Sequence, residues 1–131
     1  MTDTHPNVAL SSRFDPANLA SIADVLSENF VWHFFNSSLP QLQGDYVGLT
    51  GLQDFFDSIQ KHFGGTFRVN PVSITPVGDE LVVVHVKDTM VLEGSPIEID
   101  AVVVWRMVDG RIAEAWDIPA VHTPHPVRSG T

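Results

Sequence analysis

Two ionisable side chains stand among apolar residues, where a proton could pass between the protein and a small molecule. His33 lies in an otherwise apolar segment, and Asp117 precedes Ile118 in the last apolar run of the chain. An imidazole titrates near neutral pH, and burial raises the pKa of an aspartic acid. We therefore predict that His33 and Asp117 form an acid/base pair, suited to removing a proton next to a carbonyl or to activating a water. The alternative is structural, with His33 bonded to a backbone carbonyl and Asp117 holding His33 or Arg106 in place.

A set of mostly aromatic side chains could line a pocket for a flat apolar ligand, since aromatic rings supply large, rigid contact areas. Core packing is the alternative for each ring, and a sheet face between two copies of the chain is the alternative for the histidine of the set. The candidate ligand-binding residues are Trp32, Tyr46, Phe55, Phe56, Phe63, His85, Trp105 and Met107.

No pattern in the sequence is typical of a bound metal or cofactor. The chain has no cysteine, which excludes disulfides, thiolate nucleophiles and zinc–thiolate sites. His122 and His125 lack a third ligand, and phosphate-binding loops, dinucleotide fingerprints and nucleophile elbows are absent. We therefore predict a protein that works without a metal and without a cofactor.

The charge balance argues against several classes of partner. Among the 131 residues, 7 Lys and Arg oppose 16 Asp and Glu, for a net charge of −9, and the basic residues form no stripe. Nucleic acids and anionic membrane surfaces bind clustered positive charge, so we predict neither as a partner. The first residues show no signal-peptide pattern, and no apolar run approaches the roughly 20 residues that span a bilayer. A cytoplasmic protein is the simplest prediction.

Two helix starts precede most of the extended segments. Asp15-Pro16 combines a capping residue with a proline in the first turn, and apolar residues follow at helical spacing over 19–26. Thr50 and Gln53 form a capping-box pattern for a second helix, which the glycine pair at 64–65 ends. Each predicted helix carries one apolar stripe, which we expect to pack against a sheet.

Extended segments make up most of the remaining chain. One short strand is predicted at 30–35. From residue 66 onward β-branched residues dominate, and short turns rich in Gly, Asp and Pro favour antiparallel hairpins. The predicted strands of this meander are 66–75, 81–92, 97–108 and 111–119. Helices followed by a meander predict an α+β fold, with the helices on one face of a curved antiparallel sheet.

The strand composition predicts a second copy of the chain as a partner. Runs such as 81–84 and 101–105 are apolar at every position, so both faces of the sheet must be covered. The helices cover one face, and a homodimer packed through the sheet covers the other. We predict one domain over 1–119, followed by a flexible C-terminal tail over 120–131, which is rich in proline and polar residues.

Four motifs occur in an order that resembles a known family. They are Val31-Trp32-His33, the segment QGDYVG at 43–48, Phe55-Phe56, and the stretch from Arg106 to Asp117. Over about 17–119 the chain resembles the SnoaL-like branch of the nuclear transport factor 2-like superfamily, which includes ketosteroid isomerases, polyketide cyclases and limonene-type epoxide hydrolases. The resemblance implies a cone-shaped fold, in which about three N-terminal helices close a curved sheet around an apolar pocket, and usually a dimer.

The resemblance also bears on single residues. His33 stands where ketosteroid isomerases carry the aspartate that shuttles the proton, and Asp117 matches an acid/base aspartate of the cyclases and epoxide hydrolases. The first predicted helix lacks the tyrosine that donates to the developing oxyanion, which argues against a true ketosteroid isomerase. The epoxide hydrolases need an arginine between two aspartates; Asp88 is present, but Val86 stands at the arginine position.

We therefore predict a SnoaL-like enzyme that uses cofactor-free general acid/base catalysis on an apolar, carbonyl-bearing or cyclic small molecule. The reaction type stays open among isomerase, cyclase and hydrolase, because this fold hosts all three. The alternative is a non-catalytic module of the same fold that binds a hydrophobic ligand or assembles with a partner. The two differ in whether His33 and Asp117 open into one pocket.

Overall fold

The computed structural model describes residues 5–127, which form two α-helices, a single 3₁₀ turn and seven strands. The helices are α1 (Pro6–Ser11) and α2 (Gly48–His62), and the 3₁₀ turn is Leu19–Ile22. The strands are β1 (Leu26–Phe34), β2 (Gly44–Val47), β3 (Arg68–Val77), β4 (Leu81–Leu92), β5 (Ser95–Val108), β6 (Arg111–Pro119) and β7 (His125–Pro126). The predicted α+β class is confirmed.

All seven strands belong to one curved, open sheet in the order β2-β1-β6-β5-β4-β3, with β7 beside β5. Strands β3 to β6 pair antiparallel in sequence, which confirms the predicted meander. Strand β1 lies parallel to β6 and antiparallel to β2. The predicted strands 81–92 and 111–119 have the observed bounds, whereas 66–75 is displaced and 97–108 is extended, each by two residues.

The first predicted helix is not formed. Asp15 Oδ1 accepts from the amide of Ala17 at 3.0 Å, and only the 3₁₀ turn follows before β1 begins at Leu26. The Asp15 side chain thus takes a backbone hydrogen bond at the predicted helix start, and such local bonds favour a turn over a helix. Leu19 and Ile22, which suggested a helix, are nevertheless buried in the core. The prediction of about three helices is therefore wrong, since the described residues form two α-helices.

The second predicted helix is α2, with a different start. It begins at Gly48 rather than Thr50, and Gln53 donates to Asp57 Oδ1 at 3.0 Å instead of capping the helix. Glycines at 64–65 end it in the left-handed conformation, as predicted. At 15 residues α2 is the longer helix, and no helix within the described residues has the length and apolar character needed to cross a membrane.

One face of the sheet, here called the inner face, packs against α2 and carries the core. Burial alternates along β4, where every second residue over 82–90 is buried. Helix α2 contributes an apolar stripe to the same core. At its centre the Trp32 ring lies 5.6 Å from the ring centres of Phe55, Phe56 and Trp105.

The opposite face of the sheet, here called the outer face, is half-exposed and mixed in character. Apolar side chains alternate there with charged ones, such as Arg106, whose Nε lies 3.5 Å from an oxygen of Glu114. Val102 and Ile118, which are paired in the β5–β6 ladder, are 37% and 49% exposed. The homodimer through the sheet stays a prediction.

The two edges of the sheet are short or irregular. Edge strand β3 contains Pro71 and Pro76, and its pairing with β4 shifts register between Pro71 and Ser73. The other edge strand, β2, has only 4 residues. Proline has no amide hydrogen to donate, so β3 presents an interrupted row of donors to solvent.

The segment 120–131, predicted as a flexible tail, is described up to residue 127. His125 and Pro126 pair with Glu98 and Ile97 of β5 and form β7. Residues 128–131 lie outside the described residues, and the flexibility of the tail stays a prediction.

Candidate functional site

Two buried carboxyl groups open on one cavity at the inner face. Asp88 on β4 and Asp117 on β6 are only 7% and 8% exposed. Asp88 pairs with Ile99 and Asp117 with Val103, so β5 runs between the two acids. Both acids line a cavity of about 40 Å³, here called the acid cavity. Its walls are otherwise largely apolar and include Phe34, Leu39, Phe55, Ile59, Phe63 and Met90.

Burial and mutual repulsion keep the two acids from ionising together. Burial raises the pKa of Asp88 to about 7, and its Oδ1 has no hydrogen-bond partner in the described structure. Burial, and then the nearby Asp88 carboxylate, raise the pKa of Asp117 well above its ordinary value. Both acids therefore hold their protons to higher pH than an exposed carboxyl group does, and Asp88 ionises near neutral pH. Such a pair can donate one proton and accept another.

A neutral donor, Asn36, lines the same cavity. Its Oδ1 accepts from the backbone amides of Ser38 and Leu39 at 2.9 and 3.2 Å, and its backbone amide donates to Gln43 Oε1 at 2.9 Å. These bonds fix the turn, and none of them uses the two N–H donors of Nδ2. Asn36 was not predicted from the sequence, although an asparagine followed by two serines after a strand is typical of such a turn.

His33 lies on the outer face. Its Nδ1 is 2.7 Å from Asp45 Oδ1, its Nε2 is 2.6 Å from Glu114 Oε2, and its ring stacks on Trp116 at 5.5 Å. Partial burial opposes protonation, but the bonds to the two carboxylates outweigh it, so the pKa of His33 is raised. The imidazole, held at both nitrogens, ties β2, β1 and β6 together, and neither nitrogen is left for a substrate.

The structure therefore does not bring His33 and Asp117 together. Along β1 the buried Trp32 and Phe34 alternate with His33, so the imidazole points away from the inner face, where Asp117 lies. The sheet itself separates the two groups. Asp88, which the sequence suggested only as part of an incomplete triad, stands nearer to Asp117 in the acid cavity.

The predicted ligand-binding residues are divided among several places. Phe55 and Phe63 line the acid cavity, whereas Trp105 lines a larger cavity beside the residues that follow α1. Three further members pack in the core, where they are at most 5% exposed: Trp32, Phe56 and Met107.

Tyr46 and His85, the last two predicted ligand-binding residues, are engaged elsewhere. The hydroxyl of Tyr46 donates to the carbonyl of Leu42 at 2.5 Å. His85 lies on the outer face, with its Nε2 2.8 Å from Asp100 Oδ1. Neither side chain lines the acid cavity.

The described residues contain no group of three or more histidines and acids arranged to hold a metal ion. His122 and His125, whose spacing was weighed above, are both exposed. The absence of a metal and of a cofactor stays a prediction.

The chain is similar to known proteins at the level of family and fold. The sequence model of the family described as "SnoaL-like domain" matches residues 8–115. No curated protein matches the sequence.

Several solved structures resemble this one. TerC co-crystallised with polyporic acid has 23% identity and a TM-score of 0.73, over 86% of this chain and 90% of TerC. Wild-type IdmH from Streptomyces antibioticus, a candidate polyketide cyclase, has 20% identity and a TM-score of 0.65, over 90% and 91% of the two chains. An NTF2-like protein of unknown function from Cytophaga hutchinsonii has 10% identity and a TM-score of 0.66, over 87% and 96%. At these identities the similarities show the fold.

Proposed function

The chain belongs to the SnoaL-like domain family. From that premise we propose an enzyme that uses Asp88 and Asp117 for cofactor-free acid/base catalysis. The substrate class is an uncharged, apolar small molecule that bears a carbonyl or a reactive ring. The observation that carries the proposal is the pair of buried carboxyl groups in one apolar cavity. Two buried acids are costly to keep in a core of this size, and catalysis is the common reason for keeping them.

The proposed division of labour follows from the two environments. Asp88, whose pKa of about 7 lets it ionise near neutral pH, takes a proton from a carbon next to a carbonyl or from a water. Asp117, whose pKa is raised well above its ordinary value by burial and then by the Asp88 carboxylate, gives a proton to the oxygen on which charge develops. The Nδ2 group of Asn36 donates to the same oxygen, as a neutral donor that costs the site no further charge. The acid cavity, at about 40 Å³, exceeds the roughly 10–15 Å³ that a water needs, so activation of a water also fits.

Charge and family support the proposed substrate class. A net charge of −9 and the Asp88 carboxylate at the cavity repel anions, which favours an uncharged substrate. IdmH is a candidate polyketide cyclase, and polyketides are rich in carbonyl groups. The experiment below distinguishes isomerase, cyclase and hydrolase chemistry.

Turnover of simple substrates tests the role of the acid pair. The purified protein is incubated with uncharged cyclic ketones in D₂O and with cyclic epoxides in ¹⁸O-labelled water, and mass spectrometry follows label uptake. We expect Asp88→Asn and Asp117→Asn each to lower the rate by at least about 100-fold, because each removes an acid/base group. The matched control Asp109→Asn, in the exposed β5–β6 turn, keeps the rate.

His33→Gln separates this proposal from the pair predicted from the sequence. Since His33 lies on the outer face, the variant is expected to keep its rate within a few-fold. Loss of turnover in His33→Gln together with full activity in Asp117→Asn would contradict the proposal and place the active site at His33, on the outer face. Binding of the compounds without label uptake would favour the non-catalytic module.

We also propose that the outer face packs against a second copy of the chain. The exposed apolar side chains of Val102 and Ile118 lie at its centre, on strands β5 and β6. Multi-angle light scattering is expected to give a mass of twice 14.4 kDa. Ile118→Arg should give the monomer, because a buried unpaired charge opposes the contact. Leu92→Arg, at a residue 45% exposed at the end of the β4–β5 hairpin, should stay dimeric. A monomeric wild type at high concentration would contradict the proposal.

A further inference from the structure

The acid cavity is too small to enclose a whole ring. It measures about 40 Å³, whereas an apolar cavity of roughly 150 Å³ in an engineered protein holds one benzene molecule. The space therefore admits a carbonyl group or a water. Any cyclic molecule whose carbonyl reaches Asp88 and Asp117 must leave the rest of its skeleton outside the acid cavity.

The opening of the acid cavity is defined by exposure. Four of the residues that line it are partly exposed, whereas the others, including both acids, are buried. We call these four residues the mouth; they are Leu39, Phe63, Ile99 and Pro119. All four are apolar, so the part of a molecule that lies across the mouth is held by apolar contact.

Leu39 differs from the rest of the mouth in its backbone. Ile99 lies within β5, Pro119 ends β6, and Phe63 directly follows α2, so the sheet and the helix fix these three residues. Leu39 lies in the loop between β1 and β2, at residues 35–43. Its side chain therefore reaches the mouth from outside the regular elements.

The loop holds Leu39 by its main chain. The backbone amide of Leu39 donates to both Oδ1 and the carbonyl of Asn36, each at 3.2 Å. The carbonyl of Leu39 accepts from the backbone amides of Leu42 and Gln43 at 2.9 and 3.0 Å. Because none of these bonds uses the side chain of Leu39, a substitution there changes the mouth and leaves the hydrogen bonds of the loop in place.

We propose that Leu39 determines substrate size: its side chain limits the breadth of the hydrocarbon skeleton that can lie across the mouth while a carbonyl reaches Asp88 and Asp117. The role of the two acids rests on the function proposed above, whereas the size limit rests on the geometry of the mouth. The substrate class is accordingly an uncharged ketone with one small ring, in preference to one with fused rings.

The test measures the binding of two uncharged ketones: cyclopentanone, with one ring, and 2-decalone, with two fused rings. Binding is followed by ¹³C NMR through the carboxyl signal of Asp88, which is assigned by its absence from Asp88→Asn. This readout reports molecules that reach the acids and needs no turnover. Wild type should prefer cyclopentanone.

Leu39→Ala should shift the ratio of the two dissociation constants at least about tenfold in favour of 2-decalone. A single methylene in an apolar pocket changes discrimination by about 10–200-fold, and this substitution removes three carbon atoms. The matched control Leu42→Ala makes the same change in the same loop at a residue that does not line the acid cavity, and it should keep the wild-type ratio. Leu39→Val, with a smaller shift in the same direction, replaces Leu39→Ala if thermal melting shows that Leu39→Ala does not fold.

The two proposals fail in different ways. A shifted ratio in Leu39→Ala, without deuterium uptake from D₂O into either ketone by wild type, would overturn the acid/base proposal and leave the size limit standing. A ratio that the Leu39 variants leave unchanged, or an equal shift in Leu42→Ala, would overturn the role of Leu39. Failure of both wild type and Leu39→Ala to bind either ketone would overturn it as well.

Discussion

Asp88→Asn is expected to stabilise the protein at pH 8 by about 4 kcal/mol and to leave its stability near pH 4 almost unchanged. Burial raises the pKa of Asp88 to about 7 in the folded state, above its ordinary value of 3.8. The folded state therefore binds a proton more tightly than the unfolded chain. The stability that this tighter proton binding contributes is fully present below about pH 4 and is lost as the pH rises to about 7. Asparagine has no charge to bury, so the variant does not lose this stability as the pH rises.

Chemical denaturation at a series of pH values measures the effect, with protein concentration held fixed. Wild type should lose stability between about pH 4 and 7, and Asp88→Asn should lose much less. The burial of Asp117 acts in the same direction, since its pKa is also raised. Asp109→Asn, in an exposed turn, should follow the wild-type curve. A loss of stability in Asp88→Asn at pH 8 would mean that the carboxylate is held by bonds that support the fold, and the acid/base proposal would lose its basis.

Phe56→Ala is expected to lower the free energy of unfolding by about 3–5 kcal/mol. The Phe56 ring is 5% exposed and lies 5.7, 5.6 and 4.9 Å from the ring centres of Phe14, Trp32 and Phe55. It lines neither the acid cavity nor the larger cavity beside the residues that follow α1, so truncation would open a new void among packed rings.

Denaturant titration of Phe56→Ala measures this cost, with Leu92→Ala as the control. Leu92 is 45% exposed, and its truncation should change stability by no more than about 0.5 kcal/mol. A cost below about 1 kcal/mol for Phe56→Ala would mean that the ring lies beside an unfilled pocket, and would support its predicted role in ligand binding.

The sheet was largely predictable from the sequence because local signals define its strands. Turn residues bound β4 and β6, and their predicted limits are the observed ones. The N-terminal segment was not predictable in this way. Leu19, Ile22 and Leu26 have helical spacing, but they reach the core from a 3₁₀ turn and the start of a strand. The spacing of apolar residues indicates which residues are buried, but in a short segment it does not determine the backbone conformation.

Only part of the site was predictable, because the sequence does not always tell which face of the sheet a side chain takes. Alternation in β6 predicted that Ala115 and Asp117 share one face, and both are buried on the inner face. In β1 the residues on both sides of His33 are apolar, so composition does not tell which face the imidazole takes. Asp88 follows the alternation of β4 and takes the inner face with the other buried residues of that strand. Asn36 lies in a turn, and its place beside the acids depends on how the loop folds back.

Two prolines in edge strand β3 and the shortness of β2 affect behaviour at high concentration. An unprotected edge strand is a template on which another chain can add a strand, and repeated addition leads to fibrils. Pro71 and Pro76 interrupt the row of donors that such growth requires, and the other edge offers only 4 residues. The protein can therefore carry a partly apolar sheet face without offering a long, regular edge on which amyloid-like growth could start.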